Sequence, residues 1–274
     1  AEIDAQSPVQ LPSPSRPTGN LDDVAAAINK GFAAGFDGAV VIQGTDTIEE
    51  SAFLLELLVD SDKPVVITGA MRGADAPGAD GPANLLASAR VAASDEARGL
   101  GALAVLNYDI HAARFVQKTH TTLPSAFASP MVGPIGAVAE GRPRFHARVS
   151  RMPVHPAAAG APAPVALVTW PMGEDGRMLQ ALPGLGYAGA VIAGMGAGHV
   201  ALAATMPVVL ASRSAAGPVF TGTYGYPGGE IDLIRRGLVP AGMLGALKAR
   251  LLLGLCLRGG GGRDAASRAF APYA

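Results

Sequence analysis

Two neighbouring residues and one distant one carry groups that could share a proton: Thr45 and Asp46 in VVIQGTDTIEES (40–51), and Lys118 in KTHTT (118–122). A threonine hydroxyl attacks poorly until a base removes its proton. A lysine can be that base where its surroundings favour the neutral amine. An aspartate beside it can orient the ammonium and join the proton network. Together, hydroxyl, amine and carboxylate would form a relay suited to acyl transfer. Plainer readings stand beside this one. Thr47-Ile48-Glu49-Glu50 has capping-box spacing, which gives Thr47 and Glu50 a role in starting a helix and leaves Thr45 and Asp46 without one. On spacing alone, Lys118 is an ordinary surface lysine.

For these residues to meet, the elements around them must bring widely separated chain segments to one edge. Apolar runs alternate with helical patterns: helix over 21–36 with Asn20 as N-cap, buried strand over 38–43, helix over 48–59, strand over 64–68, helix over 83–95 and strand over 102–106. Strands separated by helices predict right-handed crossovers and a parallel sheet with helices on both faces. Ligands of such sheets bind outside the carboxyl ends of the strands. Three polar clusters fall there: Gln43-Gly44-Thr45-Asp46, the loop at 71–82 and the segment 107–122. In the loop, Asp80-Gly81-Pro82 reads as an acidic N-cap followed by a proline at the helix start.

Past residue 144 the pattern lapses into HARVSRMPVHPAAAGAPAP, rich in Pro and Ala, which reads as an interdomain linker. Strands at 165–169, 188–193 and 208–211 then alternate with shorter helices, and a largely buried helix is expected over 240–257.

Bulk properties narrow the function classes. The 274 residues suffice for one large or two ordinary domains. Charged residues make up only 16% against 49% hydrophobic, so much surface is expected to be buried in a core or between subunits. A formal charge of -1 offers no basic field for nucleic acid or an anionic membrane. The single cysteine, Cys256, excludes an intrachain disulfide framework and reads as a small buried hydrophobe. The most apolar stretch, 187–211, is broken by glycines, His199 and Pro207. It divides into strand, turn, helix and strand rather than a membrane span. No signal peptide is visible, and compartment is left open between cytoplasm and periplasm.

The stretches GTDTIEESAFLLELL, KPVVITGAMR, ADGPANLLASARVA, and KTHTT followed by AFASPMVGPIG resemble the bacterial-type L-asparaginases, over nearly the whole of 11–257. The resemblance implies a two-domain asparaginase-like α/β fold. A larger N-terminal parallel-sheet domain would occupy 1–148, a linker 149–164 and a smaller C-terminal α/β domain 165–274. It also implies hydrolysis of L-asparagine to L-aspartate and ammonia, no metal or organic cofactor, and a homotetramer built as a dimer of dimers. By motif, Thr45, Asp46 and Lys118 match the family's catalytic threonine–aspartate–lysine set, with Asp46 also holding the substrate's α-amino group. Ser13 in LPSPS matches the serine that binds the α-carboxylate, with help from the Gly44 turn. Ala70 lines the site near the substrate amide. Glu230, in GGEIDLIRRGLVPAG, aligns with a glutamate that reaches into a neighbouring subunit's site.

Three departures qualify what is carried over. The family's first strand, ending in a Thr-Gly-Gly-Thr-Ile-type motif with the attacking threonine, is not found in this sequence, so the N-terminal domain is expected to be truncated and the chain inactive or nearly so. Pro14 stands where many members carry glutamine. GMGAGH (194–199) has Ala197 and His199 in place of asparagines, and His199 reads as a family variant rather than a catalytic group. Two other readings compete: a subunit that binds aspartate or asparagine without turnover, and the amidase subunit of a tRNA-dependent amidotransferase. The lack of a basic surface counts against the second.

Overall fold

A computed structural model describes residues 2–155, 160, 163–200 and 206–274, and the chain divides into two compact units, Ala1–Pro156 and Ala157–Ala274. The expected linker at 149–164 lies partly, and the expected helix after His199 largely, outside the described residues.

In the first unit the elements run α1 (Asn20–Ala33), β1 (Ala39–Ile42), α2 (Ile48–Leu58), β2 (Val65–Thr68), α3 (Gly81–Ala92) and β3 (Ala102–Leu106). They continue with β4 (Asp109–Ala112), β5 (Gln117–Lys118), β6 (Phe127–Ala128), β7 (Gly136–Ala139) and β8 (Arg142–Phe145). The main sheet has the order β1-β2-β3-β4-β7-β8, while β5 and β6 pair as a separate ribbon. Strands β1 to β3 are parallel, as their helical crossovers require, but β4, β7 and β8 are antiparallel. The expectation of a parallel sheet is therefore corrected to a mixed one. The cause is local: Asn107 and Tyr108, at φ 50° and 65°, make a two-residue reversal that folds β4 back on β3. Without a glycine, Asn-Tyr hides this hairpin in what reads as a loop.

Helix α3 packs on β1, β2 and β3, and α2 on β2 and β3. Val66, Leu103, Val105, Ile110, Val91 and Ile135 form one buried cluster. Strand β3 is buried at all five positions, which its apolar sequence ALAVL anticipates.

Two local starts differ from expectation. Gly19, not Asn20, is the N-cap of α1. At α2, Thr47 occupies the N-cap position without a side-chain capping bond; its hydroxyl instead accepts from Gln43 Nε2 at 3.2 Å, so the capping box is not formed.

The second unit runs β9 (Val165–Thr169), α4 (Arg177–Ala181), β10 (Gly189–Gly194), β11 (Val208–Ser212), α5 (Glu230–Arg235), β12 (Val239–Pro240), α6 (Ala246–Arg258) and α7 (Arg263–Phe270). Its sheet is parallel, in the order β12-β11-β10-β9. Trp170, Ile192, Val208, Leu210 and Leu233 belong to its core. The expected helix over 240–257 begins later, at Ala246, because Pro240 is taken into β12 and pairs with Leu210. Among the described residues no helix is long and apolar enough to cross a membrane.

Candidate functional site

Strands β1 and β2 end side by side, with Ile42 opposite Thr68, and the chain leaves both ends through residues that allow close approach. A Cβ on Gly69 would sit 2.4 Å from the Gln43 carbonyl oxygen, and one on Gly44 would sit 2.7 Å from Ser13 Oγ. A side chain at Gly69 would push the two loops apart, and one at Gly44 would push away the Ser13 segment. Between them, Thr45, Asp46 and Thr47 form one turn of 3-10 helix leading into α2.

Lys118 reaches this turn from the β5–β6 ribbon. Its Nζ donates to Thr45 Oγ1 at 2.9 Å and to Asp46 Oδ1 at 2.6 Å. The lysine side chain is 17% exposed and the aspartate 60%, so the ion pair lies at a rim open to water. The three groups named from the sequence are thus in direct contact, although Lys118 is reached through an extra hairpin rather than directly from β3.

Ser13 is buried, and it lies against the Gly44 turn. Neighbouring Arg16 donates from Nη1 to Gln43 Oε1 at 2.7 Å, and Gln43 Nε2 lies 3.3 Å from the Gly44 carbonyl and 3.2 Å from Thr47 Oγ1. One amide side chain therefore ties the Ser13 segment to the turn carrying Thr45 and Asp46. Ala70 follows Gly69 and is exposed; a Cβ on Gly81 would touch its methyl group at 3.4 Å.

The loop after β2 is held by Asp80. Its two carboxylate oxygens accept from the backbone amides of Met71 and Arg72, at 3.0 and 2.9 Å, and Oδ2 also accepts from Asn84 Nδ2 at 3.0 Å. Asp80 stands at the N-cap position of α3 but makes no side-chain capping bond to the helix, and Pro82 is the second helical residue. Partial burial works against its charge, yet these hydrogen bonds outweigh it and hold the carboxyl below the usual aspartate range. Asn84 is a hub: it also donates to the Gly69 carbonyl at 2.9 Å and accepts from the Asn107 amide at 2.9 Å, joining the ends of β2 and β3.

Glu230 lies apart from these residues in the chain, in the second unit. It is fully buried, and Oε1 accepts from the Thr223 and Tyr224 amides at 2.7 and 2.6 Å. Oε2 stands 3.3 Å from His199 Nε2, an ion-pair distance without hydrogen-bond alignment. Tyr226 Oη lies 2.9 Å from His199 Nδ1. Burial pushes the Glu230 carboxyl up, but the backbone amides of Tyr224 and Thr223, with His199, bring it below the usual range. The carboxylate is thus held in place by the Thr223 and Tyr224 amides of its own unit.

Sequence reading missed Arg16, Glu49 and Asn84, and placed Gln43 in the polar cluster after β1 without giving it a role of its own. Glu49 accepts the Lys118 backbone amide at 3.0 Å on Oε2. Its only signal was its place in GTDTIEE, where the helix-start reading drew on Glu50 alone. Among the described residues no group of three or more His, Cys, Asp or Glu is placed to hold a metal ion.

Residues 1–151 match the family described as "Asparaginase, N-terminal", and residues 164–270 the "Glutaminase/Asparaginase C-terminal domain". A probable L-asparaginase of Deinococcus radiodurans is 39% identical over 288 aligned residues, covering 98% of this chain and 85% of the relative. An L-asparaginase of Bacillus licheniformis is 31% identical over 267 residues, covering 93% of this chain and 82% of the relative. Among solved structures, a probable cytoplasmic L-asparaginase from Campylobacter jejuni superimposes with a TM-score of 0.87 at 30% identity, covering 98% of this chain and 86% of that one.

Proposed function

Because the chain belongs to the bacterial-type L-asparaginase/glutaminase family, we propose that its first unit carries the site of an amidohydrolase acting on L-asparagine, with Thr45, Asp46 and Lys118 as its proton relay. The observation that carries this reading is the contact of Lys118 Nζ with both Thr45 Oγ1 and Asp46 Oδ1. In the reaction a C–O bond to water replaces the C–N bond of the side-chain amide, and ammonia leaves. Asp46 receives the substrate's α-ammonium. Lys118, acting as the base, takes a proton from the attacking hydroxyl through Thr45 and returns one to the leaving nitrogen. Ser13 and the Gly44 turn hold the α-carboxylate, and Ala70 bounds the amide end.

We also infer that the 274-residue chain, taken by itself, turns over slowly. Residues 1–274 contain no Thr-Gly-Gly-Thr run to supply a second hydroxyl, and loss of one member of a concerted set forfeits most of the rate. The sheet supports this. Among the described residues, strand β1 is paired on one side only, with β2. Its sequence AVVI suits an interior strand, yet Ile42 is 63% exposed. Assembly as a dimer of dimers belongs to the same proposal, with Glu230 offered to a neighbouring subunit's site and its Oε2 without a hydrogen bond.

Calorimetry with L-aspartate, ammonia release from L-asparagine and sedimentation of the purified chain test these statements. We expect aspartate to bind, ammonia release to stay near background, and a tetramer to sediment. Absence of aspartate binding would overturn the site. Ordinary enzymatic turnover would overturn the slow-turnover inference.

A further inference from the structure

We propose that Glu49 is a positioning residue for Lys118: its carboxylate, by accepting the Lys118 backbone amide, fixes where the lysine leaves its ribbon and so where the ammonium arrives. This rests on the reading of Lys118 as the base of the site. The lysine belongs to a short two-stranded ribbon, with Lys118 opposite Phe127 and the Thr119 amide donating to the Ala126 carbonyl at 2.7 Å. So short a ribbon is marginal on its own. A long, flexible lysine on it would sample many positions, and lysine carries large rotamer entropy.

The structure restrains that lysine at both ends. At the head, Nζ meets Thr45 and Asp46 at 2.9 and 2.6 Å; at the root, the amide meets Glu49 Oε2 at 3.0 Å. Both anchors belong to one continuous stretch, the 3-10 turn Thr45–Thr47 and the first turn of α2. Glu49 is thus close in the chain to the hydroxyl that Lys118 must reach. A bond from a backbone amide to a carboxylate is charge-assisted and directional, which suits holding a main chain in register. The bond is made to the Lys118 main chain, so Glu49 acts on the ammonium through the position of the ribbon.

The test reads Lys118 directly. The full 274-residue chain and its E49A, E49Q and E50A variants are treated with a limiting amount of acetic anhydride, and acetylation of Lys118 is followed by peptide mass spectrometry. L-aspartate binding is measured on the same samples. In E49A the Lys118 label should rise about fivefold, the shift in local opening that one lost net hydrogen bond produces, and aspartate binding should weaken. E49Q keeps an acceptor oxygen for the amide and should restore most of the protection, although it loses the negative charge that favours the start of α2. E50A should label as the parent does. Equal labelling of E49A and parent overturns the proposal, as does E49Q behaving like E49A, which would mean the charge acts rather than the bond. If E49A exposes Lys118 while the parent chain binds no aspartate, Glu49 still positions the lysine and only the reading of the site falls.

Discussion

Lys118 Nζ and Asp46 Oδ1 stand 2.6 Å apart, an ion pair between residues separated by 72 positions of sequence. The aspartate side is 60% exposed, and such pairs contribute about 1 kcal/mol at most. A contact that does so little for folding is accounted for by placing charges. D46N and K118M are therefore expected to lower the melting temperature by no more than a few degrees, on the order of 2–4 °C for a chain of this size, while weakening L-aspartate binding at least about tenfold, a loss of about 1.4 kcal/mol. Scanning calorimetry and titration calorimetry on the same preparations check this. Variants that melt far lower yet bind normally would assign the pair to stability.

The fit of Ser13 against Gly44 gives a steric prediction. Gly44 has φ -61° and ψ 145°, a conformation any residue adopts, so alanine there strains no backbone. Its Cβ would nevertheless sit 2.7 Å from Ser13 Oγ and displace it. G44A is expected to weaken aspartate binding by about the same factor as S13A, and the double variant to be little worse than either, because both remove one interaction. Titration calorimetry across the four proteins gives the coupling. Additive losses would mean that Ser13 and Gly44 act separately.

How much of this was legible depended on what each residue answers to. Strands β3 and β9 have the bounds their apolar runs announce, β3 buried throughout and β9 at three of its five positions. The meeting of Thr45, Asp46 and Lys118 was also legible, through residue type and family motif. The antiparallel half of the first sheet was not. It turns on Asn107 and Tyr108 at positive φ, a conformation that sequence signals mainly through glycine. Thr47 had a capping sequence but found a better partner in Gln43, a tertiary contact outside any local window. Glu49 was hidden for the same reason: its partner amide lies 69 residues away.

Asp80 ties the loop after β2 to α3, and its hold depends on charge. Its carboxyl lies below the usual range in the folded chain. Its stabilising contribution is therefore complete above the unfolded value, about 3.9, and is lost as pH falls through the lower folded one. Hydrogen exchange at the Met71 and Arg72 amides should accelerate over that acid window in the parent. In D80A the same two amides should exchange fast at every pH, and trypsin should cut faster at exposed Arg72. Protection of both amides in D80A would show that the loop is held by other contacts.

Glu56 behaves in the opposite sense. It is 4% exposed, and Oε2 accepts from the Ala102 amide at 2.6 Å beside Gly101, where a Cβ would land 2.0 Å from that oxygen. Burial raises its carboxyl above the usual range, with the Ala102 bond and the Arg151 charge offsetting only part of the effect. A raised folded value means that the contribution to stability is full below the unfolded value, about 4.3, and drains away as pH rises through the folded one. Glutamine keeps an acceptor for Ala102 and has no charge to desolvate, so E56Q should gain on the parent as pH rises from about 4 and stop gaining once pH passes the raised folded value. E56A leaves the Ala102 amide unsatisfied and should cost about 1–3 kcal/mol relative to E56Q at any pH. Urea unfolding of the three proteins across that pH range decides it: a gap between E56Q and parent that stays constant, or narrows as pH rises, would rule out desolvation of Glu56 as the cause.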